Sequence, residues 1–265
     1  MWHITKGFIP PNLRPEVVKL MLSGKGHEDA LVDRDEDDKV PVYLEHLRLL
    51  KTLLARDTTM LAGEKAATWA TATLAFWGSF RLSEILSSHA RSIDHKVDLL
   101  RRDIRIDSRV VDRKTRNIMI VSLKSPKEAK NNKEAIKIEV FAMPSALDLC
   151  PVEAFKKYEK VYGKLQKNNA AFRLAESGDC LRKERFNNTL KKYFKKYSDY
   201  GKLTGHSFRS GLSSLLGEAG FSDEEIQALG RWSSSAFLNY VRSGRLKRMR
   251  MSDRVLKFVE QKCNS

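Results

Sequence analysis

Leucines at positions 44, 47, 50 and 54 recur at near-helical spacing, so from Pro41 the chain reads as an amphipathic helix. A second helix, Glu64 to Trp77, is apolar on most of its faces and is expected to be buried. It stops at Gly78, and the next charged residue is Arg81. Between 101 and 142 the period changes. Ile104, Ile106, Val110 and Val111, then Ile118-Met119-Ile120-Val121 and Ile136-Lys137-Ile138-Glu139-Val140, read as short strands. The polar stretch from Lys124 to Lys133 reads as the hairpin loop between the last two. Helices resume at Pro151, a favourable first-turn residue, with Val152, Phe155, Tyr158 and Tyr162 on one face. Further helices are expected over 184–197 and 206–219, and Ser222-Asp223-Glu224-Glu225 is a capping box that opens another. Short helices carrying Tyr240 and Val255–Val259 should follow. The fold class is mainly α with a small antiparallel β-sheet.

The N-terminal stretch 1–38 is weakly patterned and ends in Asp33-Arg34-Asp35-Glu36-Asp37-Asp38. That run resembles the opening of a calcium loop. However, Asp38 stands where the turn needs glycine, and Leu44 stands where the last carboxylate should be. It reads as a linker, which leaves 39–265 as the main domain. With 265 residues and 42% apolar content the chain can build an ordinary core. The longest largely apolar stretch, Thr68 to Phe80, is too short and too rich in Ala and Thr to span a bilayer. Met1 to Pro10 lacks a basic segment followed by an apolar run, so neither a secretory leader nor a membrane partner is expected. Cys150, Cys180 and Cys263 lie far apart without metal-ligand or paired spacing, which fits a reduced, intracellular chain.

Charge changes the picture from a bland helical domain to one with a polyanionic partner. The formal net charge is +16. Residues 91–140 carry 14 Lys/Arg against 8 Asp/Glu, and residues 181–265 carry 18 against 8; the remainder balances at 17 against 17. The whole excess falls in two blocks, as expected if two surfaces face nucleic acid.

Candidate chemistry lies in and beside those blocks. Gly205-His206-Ser207-Phe208-Arg209 opens a helix, which puts His206 and Arg209 on one face near its positive end. Backbone donors, an imidazole and a guanidinium converging there suit a phosphate. Arg81-Leu82-Ser83-Glu84 follows the buried helix, Leu229-Gly230-Arg231-Trp232 follows the His-x-x-Arg, and Tyr240 lies nine residues past Arg231. This ordered set, from about Pro41 to the C-terminus, resembles the tyrosine recombinase (phage integrase) family. The stretches Phe76–Leu86 and Thr204–Arg242 look most like the recombinases of DIRS-like and Crypton-like mobile elements.

The resemblance implies the tyrosine recombinase catalytic-domain fold and a site in which Tyr240 attacks a DNA phosphate to form a 3′-phosphotyrosyl link. Arg81 and Arg209 match the two arginines that clamp the phosphate, a task suited to planar, always-charged guanidiniums. His206 is placed to accept the tyrosine proton. A hairpin lysine supplies the general acid in this family, and Lys124 holds that place, although Lys127, Lys130 and Lys133 crowd the same loop. The family usually has His or Trp nine residues before the tyrosine, where this chain has Arg231. Either Trp232 packs on the phosphate from one step later, or Arg231 supplies the hydrogen bond. Glu84 fits a supporting partner of Arg81, while Tyr193, Tyr197 and Tyr200 fit packing. Lys127, Lys191, Lys192, Lys195, Lys196, Arg231, Arg242 and Arg245 are the expected DNA contacts.

Further expectations follow from the same resemblance. Double-stranded DNA is the partner, with assembly as a tetramer on two duplexes. No nucleotide or metal cofactor is expected, because the covalent link conserves phosphodiester energy and the arginines neutralise charge. Residues 1–38 are too short for the separate clamping domain of the family, so the chain reads as a fragment, with 1–38 a linker or a remnant of that domain. The location is intracellular, and nuclear in a eukaryotic host. The rival readings are a type IB topoisomerase or telomere resolvase, a domesticated DNA-binding module without activity, and an RNA-binding protein, for which no module signature is present.

Overall fold

The computed structural model describes residues 40–111, 113–124, 135–163, 166–196 and 203–231. The expected linker 1–38 and the C-terminal segment with Trp232 and Tyr240 lie outside the described residues. Eight helical or 3-10 segments and three strands succeed one another there: α1 (Leu44–Arg56), α2 (Ala62–Trp77), α3 (Leu82–Ile85), a 3-10 turn (Arg101–Asp103), β1 (Ile104–Val111), β2 (Lys114–Leu123), β3 (Ile136–Phe141), α4 (Pro151–Tyr162), α5 (Lys183–Phe194), α6 (Gly205–Glu218) and α7 (Asp223–Gly230). The mainly helical class with one small antiparallel sheet is what the hydrophobic pattern predicts.

Helix α2 is the hub. Its run Ala67, Thr68, Ala70, Thr71, Ala72, Thr73, Leu74, Ala75, Phe76 is wholly buried, because small side chains let several helices approach one axis. Helices α1, α4 and α6 all pack on it. α1 contributes Leu47, Leu50 and Leu54, and α4 contributes Val152, Phe155 and Tyr158. At Gly211 of α6 an added Cβ would lie 2.1 Å from the carbonyl oxygen of Val42, in the segment before α1, and 3.0 Å from the Phe76 ring of α2. The Val42 N–H donates to the Ser207 carbonyl at 2.8 Å, which fixes the segment before α1 against α6.

The sheet has the order β1-β2-β3, with all pairs antiparallel. Val121 faces Ile104 on one side and Ile138 on the other, and Met119 faces Ile106 and Val140. α4 covers β2 and β3. The central strand is buried on both faces at Ile118, Met119, Ile120 and Val121, which explains why it reads as an unbroken apolar run while its neighbours alternate. Among the described residues no helix is long and apolar enough to cross a membrane.

Candidate active site

Helix α2 ends in a tight turn that sets up the first part of the site. The Gly78 N–H closes back on the Leu74 carbonyl, Ser79 takes φ 50°, and the Phe80 N–H returns to the Ala75 carbonyl. Arg81 leaves this turn extended and caps α3. Glu84, three residues on, accepts from the Arg81 backbone N–H at 2.8 Å through Oε2 and from Arg81 Nη1 at 3.0 Å through Oε1. The carboxylate is buried, 7% exposed, while the Arg81 side chain is 27% exposed.

The same carboxylate serves a second arginine. Arg231 ends α7 in the left-handed region (φ 55°), an uncommon conformation for a residue with a long side chain. Its Nη2 donates to the Ser79 carbonyl at 2.9 Å and to Glu84 Oε2 at 3.3 Å. The guanidinium lies 5.0 Å from the Phe80 ring centroid, a cation–π distance. One buried acid thus holds two guanidiniums from opposite ends of the domain.

Helix α6 brings the third. Gly205 sits so close to Leu82 that a Cβ would lie 2.2 Å from Leu82 Cδ1, which seats the first turn of α6 on the residue after Arg81. The Gly205 N–H is taken by Asn187 Oδ1 of α5 at 3.1 Å, and the Thr204 N–H by Ser207 Oγ at 3.0 Å. His206 is half-buried in that first turn, and Arg209, three residues on, is fully buried. Arg209 Nη2 donates to the carbonyls of Gly230 and Arg231 at 2.8 and 3.1 Å. It therefore fastens the backbone of the residue whose own guanidinium reaches Glu84. His206 and Arg209 thus lie in the opening turns of a helix whose start is packed on the residue after Arg81, and backbone donors at a helix start favour an anion.

Lys124 belongs to a neighbouring cluster. It follows the last residue of β2, and its Nζ lies 2.7 Å from Asp103 Oδ2. It also donates to the carbonyls of Asp98 and His95 at 3.0 and 3.2 Å. Asp98 Oδ2 accepts from Ser87 Oγ at 3.0 Å and from the Asp94 N–H at 2.9 Å. Ser87 comes two residues after α3, so this network ties the lysine's surroundings to the segment that carries Arg81 and Glu84.

On α5 and just beyond it the four lysines separate. Lys191, Lys195 and Lys196 are exposed, whereas Lys192 is exposed but ion-paired with Asp57 Oδ2 at 2.6 Å. Asp57 also accepts from the Thr59 and Tyr193 hydroxyls. The Lys192 ammonium first, and then the two hydroxyls, hold the Asp57 carboxyl well below the usual carboxylate range. Burial, followed by the hydrogen bond to Asp57, pushes the Tyr193 phenol up, in keeping with a packing role for that tyrosine. Lys127, Trp232, Tyr240, Arg242 and Arg245 lie outside the described residues, as do Tyr197 and Tyr200.

The structure therefore brings Arg81, Arg209, His206 and Arg231 into one connected region, with Lys124 in the adjoining cluster. Sequence reading missed Asp103 and Asp98, and missed that Arg231 shares Glu84. Only the three-residue spacing from Arg81 to Glu84 gave a local signal. Among the described residues no group of three His, Cys, Asp or Glu side chains could hold a metal ion.

The family model described as "Phage integrase family" matches residues 48–243. No curated protein matches the sequence. Among solved structures, the chain is similar to the XerH site-specific recombinase in a post-cleavage complex on its palindromic difH substrate, with a TM-score of 0.54 at 12% identity. That likeness covers 82% of this chain and 53% of XerH, so the chain spans about half the length of that relative. It is also similar to the XerA recombinase (TM-score 0.52, 14% identity, 84% of this chain and 67% of that one). The Tn1549 transposon integrase in complex with transposon right-end DNA is similar too (TM-score 0.52, 15% identity, 86% and 69%). At these identities the likeness is one of fold.

Proposed function

The chain belongs to the phage integrase, or tyrosine recombinase, family, and we propose that it is the DNA-cutting and rejoining part of a site-specific recombinase of a mobile element. The observation that carries this reading is the convergence of Arg81 and Arg231 on the buried Glu84, with Arg209 fastened to the same corner. The proposed location is intracellular, and nuclear if the host is eukaryotic. Structural relatives solved on DNA support double-stranded DNA as the partner.

In the proposed reaction the Tyr240 hydroxyl attacks the scissile phosphorus and passes its proton to His206. The bond to the 5′ oxygen breaks, Lys124 protonates that oxygen, and the 3′ end stays on the tyrosine. Reversal with another strand's 5′ hydroxyl rejoins DNA. Arg81 and Arg209 stabilise the charge that gathers on the non-bridging oxygens. An ordinary phenol titrates near 10, so Tyr240 needs this cationic setting or a base to react. The engagement of the Arg231 guanidinium with Glu84 and Phe80 supports Trp232 as the residue that packs on the phosphate. Lys127, Lys191, Lys195, Lys196, Arg242 and Arg245 are the proposed DNA contacts, and a tetramer on two duplexes is the proposed assembly.

The test is a nicked suicide DNA substrate, which traps the covalent species. The parent protein should form a protein–DNA adduct, and Tyr240→Phe should abolish it while leaving DNA affinity nearly intact. An adduct from Tyr240→Phe would refute the assignment. Tight binding by the parent without any adduct would mark a domesticated binding module, and plasmid relaxation without recombinants would mark a topoisomerase.

A further inference from the structure

We propose that Asp103 is a positioning residue for Lys124, holding its ammonium where it can deliver a proton to the departing 5′ oxygen; this rests on the reading of Lys124 as general acid. A lysine head on a flexible four-carbon stem has no fixed place of its own, whereas a proton donor must sit within hydrogen-bond reach of its acceptor. Here the ammonium has three acceptors for its three N–H donors: Asp103 Oδ2 at 2.7 Å, the Asp98 carbonyl at 3.0 Å and the His95 carbonyl at 3.2 Å. Asp103 is the one charged acceptor of the three, and charge-assisted bonds are about twice as strong as neutral ones.

The carboxylate is itself anchored. Oδ2 also accepts from the Leu100 N–H at 2.9 Å, which closes the 3-10 turn before β1. Asp103 directly precedes Ile104, and Ile104 pairs with Val121 near the end of β2, so acid and lysine sit at adjoining strand ends. Both side chains are largely buried, 12% and 20% exposed, which protects the pair from screening by water. The two carbonyls come from a loop that Ser87 pins through Asp98, and Ser87 follows the segment bearing Arg81. Lys124 is thereby held in register with the arginine clamp. As the bond from phosphorus to the 5′ oxygen breaks, one N–H turns from a neutral carbonyl to that oxygen and its proton is transferred, leaving a neutral amine. In rejoining, the attacking 5′ hydroxyl returns the proton. Asp103 remains a carboxylate throughout and is the pivot of the turn.

The experiment measures single-turnover cleavage of an ordinary DNA strand and of one with sulfur at the bridging 5′ position, whose thiolate leaves without an acid. Asp103→Asn keeps one oxygen to accept from the Leu100 N–H while removing the charge and one acceptor. General acid–base catalysis contributes about 100- to 10,000-fold, so loss of its positioning should slow the ordinary substrate on the order of tenfold or more. The sulfur substrate should restore Asp103→Asn to within about threefold of the parent, as it should restore Lys124→Ala, because neither then lacks a needed acid. A merely structural role would slow both substrates alike, and that result overturns the inference, as does an undiminished ordinary rate. If Asp103→Asn melts below the assay temperature, Asp103→Glu replaces it: the charge is kept but displaced, and the same selective rescue is required. Should Lys124→Ala itself not be rescued by sulfur, the reading of Lys124 falls. If Lys124→Ala is rescued and the Asp103 variants are not, only the role of Asp103 falls.

Discussion

Replacing Glu84 by Gln removes the charge that two guanidiniums share while keeping the shape. Glu84 is 7% exposed, and its two oxygens take three bonds: the Arg81 N–H at 2.8 Å, Arg81 Nη1 at 3.0 Å and Arg231 Nη2 at 3.3 Å. A hydrogen bond to a charged group contributes about 1.5–3 kcal/mol, and one partner lost from a buried pair leaves the other unpaired. The Arg81 side chain is 27% exposed, so water takes over part of its interaction and its share falls below about 1 kcal/mol. Arg231, 16% exposed and longer-bonded, has less access to water and keeps about 2 kcal/mol. The backbone bond survives, since Gln retains an accepting oxygen. The expected loss is about 3 kcal/mol, which for a domain of this size lowers Tm by roughly 6–12 °C. Circular dichroism melts of the parent, Glu84→Gln, Arg231→Gln and the double variant would measure it. Because the two residues touch, the double variant should lose less than the two single losses added. Strict additivity, or a Tm for Glu84→Gln within about a degree of the parent, would show that the shared carboxylate is not a structural junction.

Three other outcomes are expected. Burial lowers the His46 imidazole below its usual value, with Glu45 opposing less strongly; an unfolded imidazole protonates near 6.5, so stability should be full above that pH and decline as pH falls below it. Melts at about pH 7.5 and about pH 5.5 should show this decline, and His46→Gln should shrink it; an equal decline in the variant would remove His46 as the cause. Gly211→Ala should destabilise by about 1–3 kcal/mol, because its Cβ would meet a backbone carbonyl at 2.1 Å that no side-chain rotation relieves; an unchanged denaturant midpoint would contradict the close approach of α6. Reversing Lys191, Lys195 and Lys196 to Glu should flatten the salt dependence of DNA affinity by about one unit of slope for each phosphate left without its cation, whereas Lys192→Ala should leave the slope alone, since that ammonium is engaged by Asp57. A slope unaltered by the triple reversal would mean that this face of α5 does not touch DNA.

Local rules made much of the fold readable. The leucine spacing of α1, the small-residue run of α2, the doubly buried β2 and the Ser222 capping box each depend on near neighbours in the chain. The last is realised as Ser222 Oγ accepting from the Glu225 N–H at 3.2 Å and Glu225 Oε2 accepting from the Ser222 N–H at 2.7 Å. What escaped reading depends on distant pairing. Nothing in the neighbourhood of Arg231 says that its guanidinium lies on Phe80 and Glu84. Asp103 looks like an ordinary acid before a strand until the β1–β2 register brings it beside Lys124. Lys192 is indistinguishable from Lys191 in a basic run, and only the packing of its helix against the end of α1 separates them. The ordered set of Arg81, Lys124, His206 and Arg209 was legible because their residue types and sequence order are distinctive, but their supporting acids, with the exception of Glu84, were not.

The separation of 147 positions from Glu84 to Arg231 also sets a clock on biosynthesis. Ribosomes add about 5–20 residues per second, so Glu84 emerges roughly 7–30 s before the arginine that completes its corner. Throughout that interval Arg81 already has its acid, yet the carbonyls of Gly230 and Arg231 that hold Arg209 do not exist. A chain still on the ribosome, or released early by a premature stop before Arg231, therefore lacks the closed corner although most of its core residues are present. The corner that joins Arg81, Glu84, Arg209 and Arg231 is thus completed only by the last of the described residues to be made, long after the helices that carry its other parts.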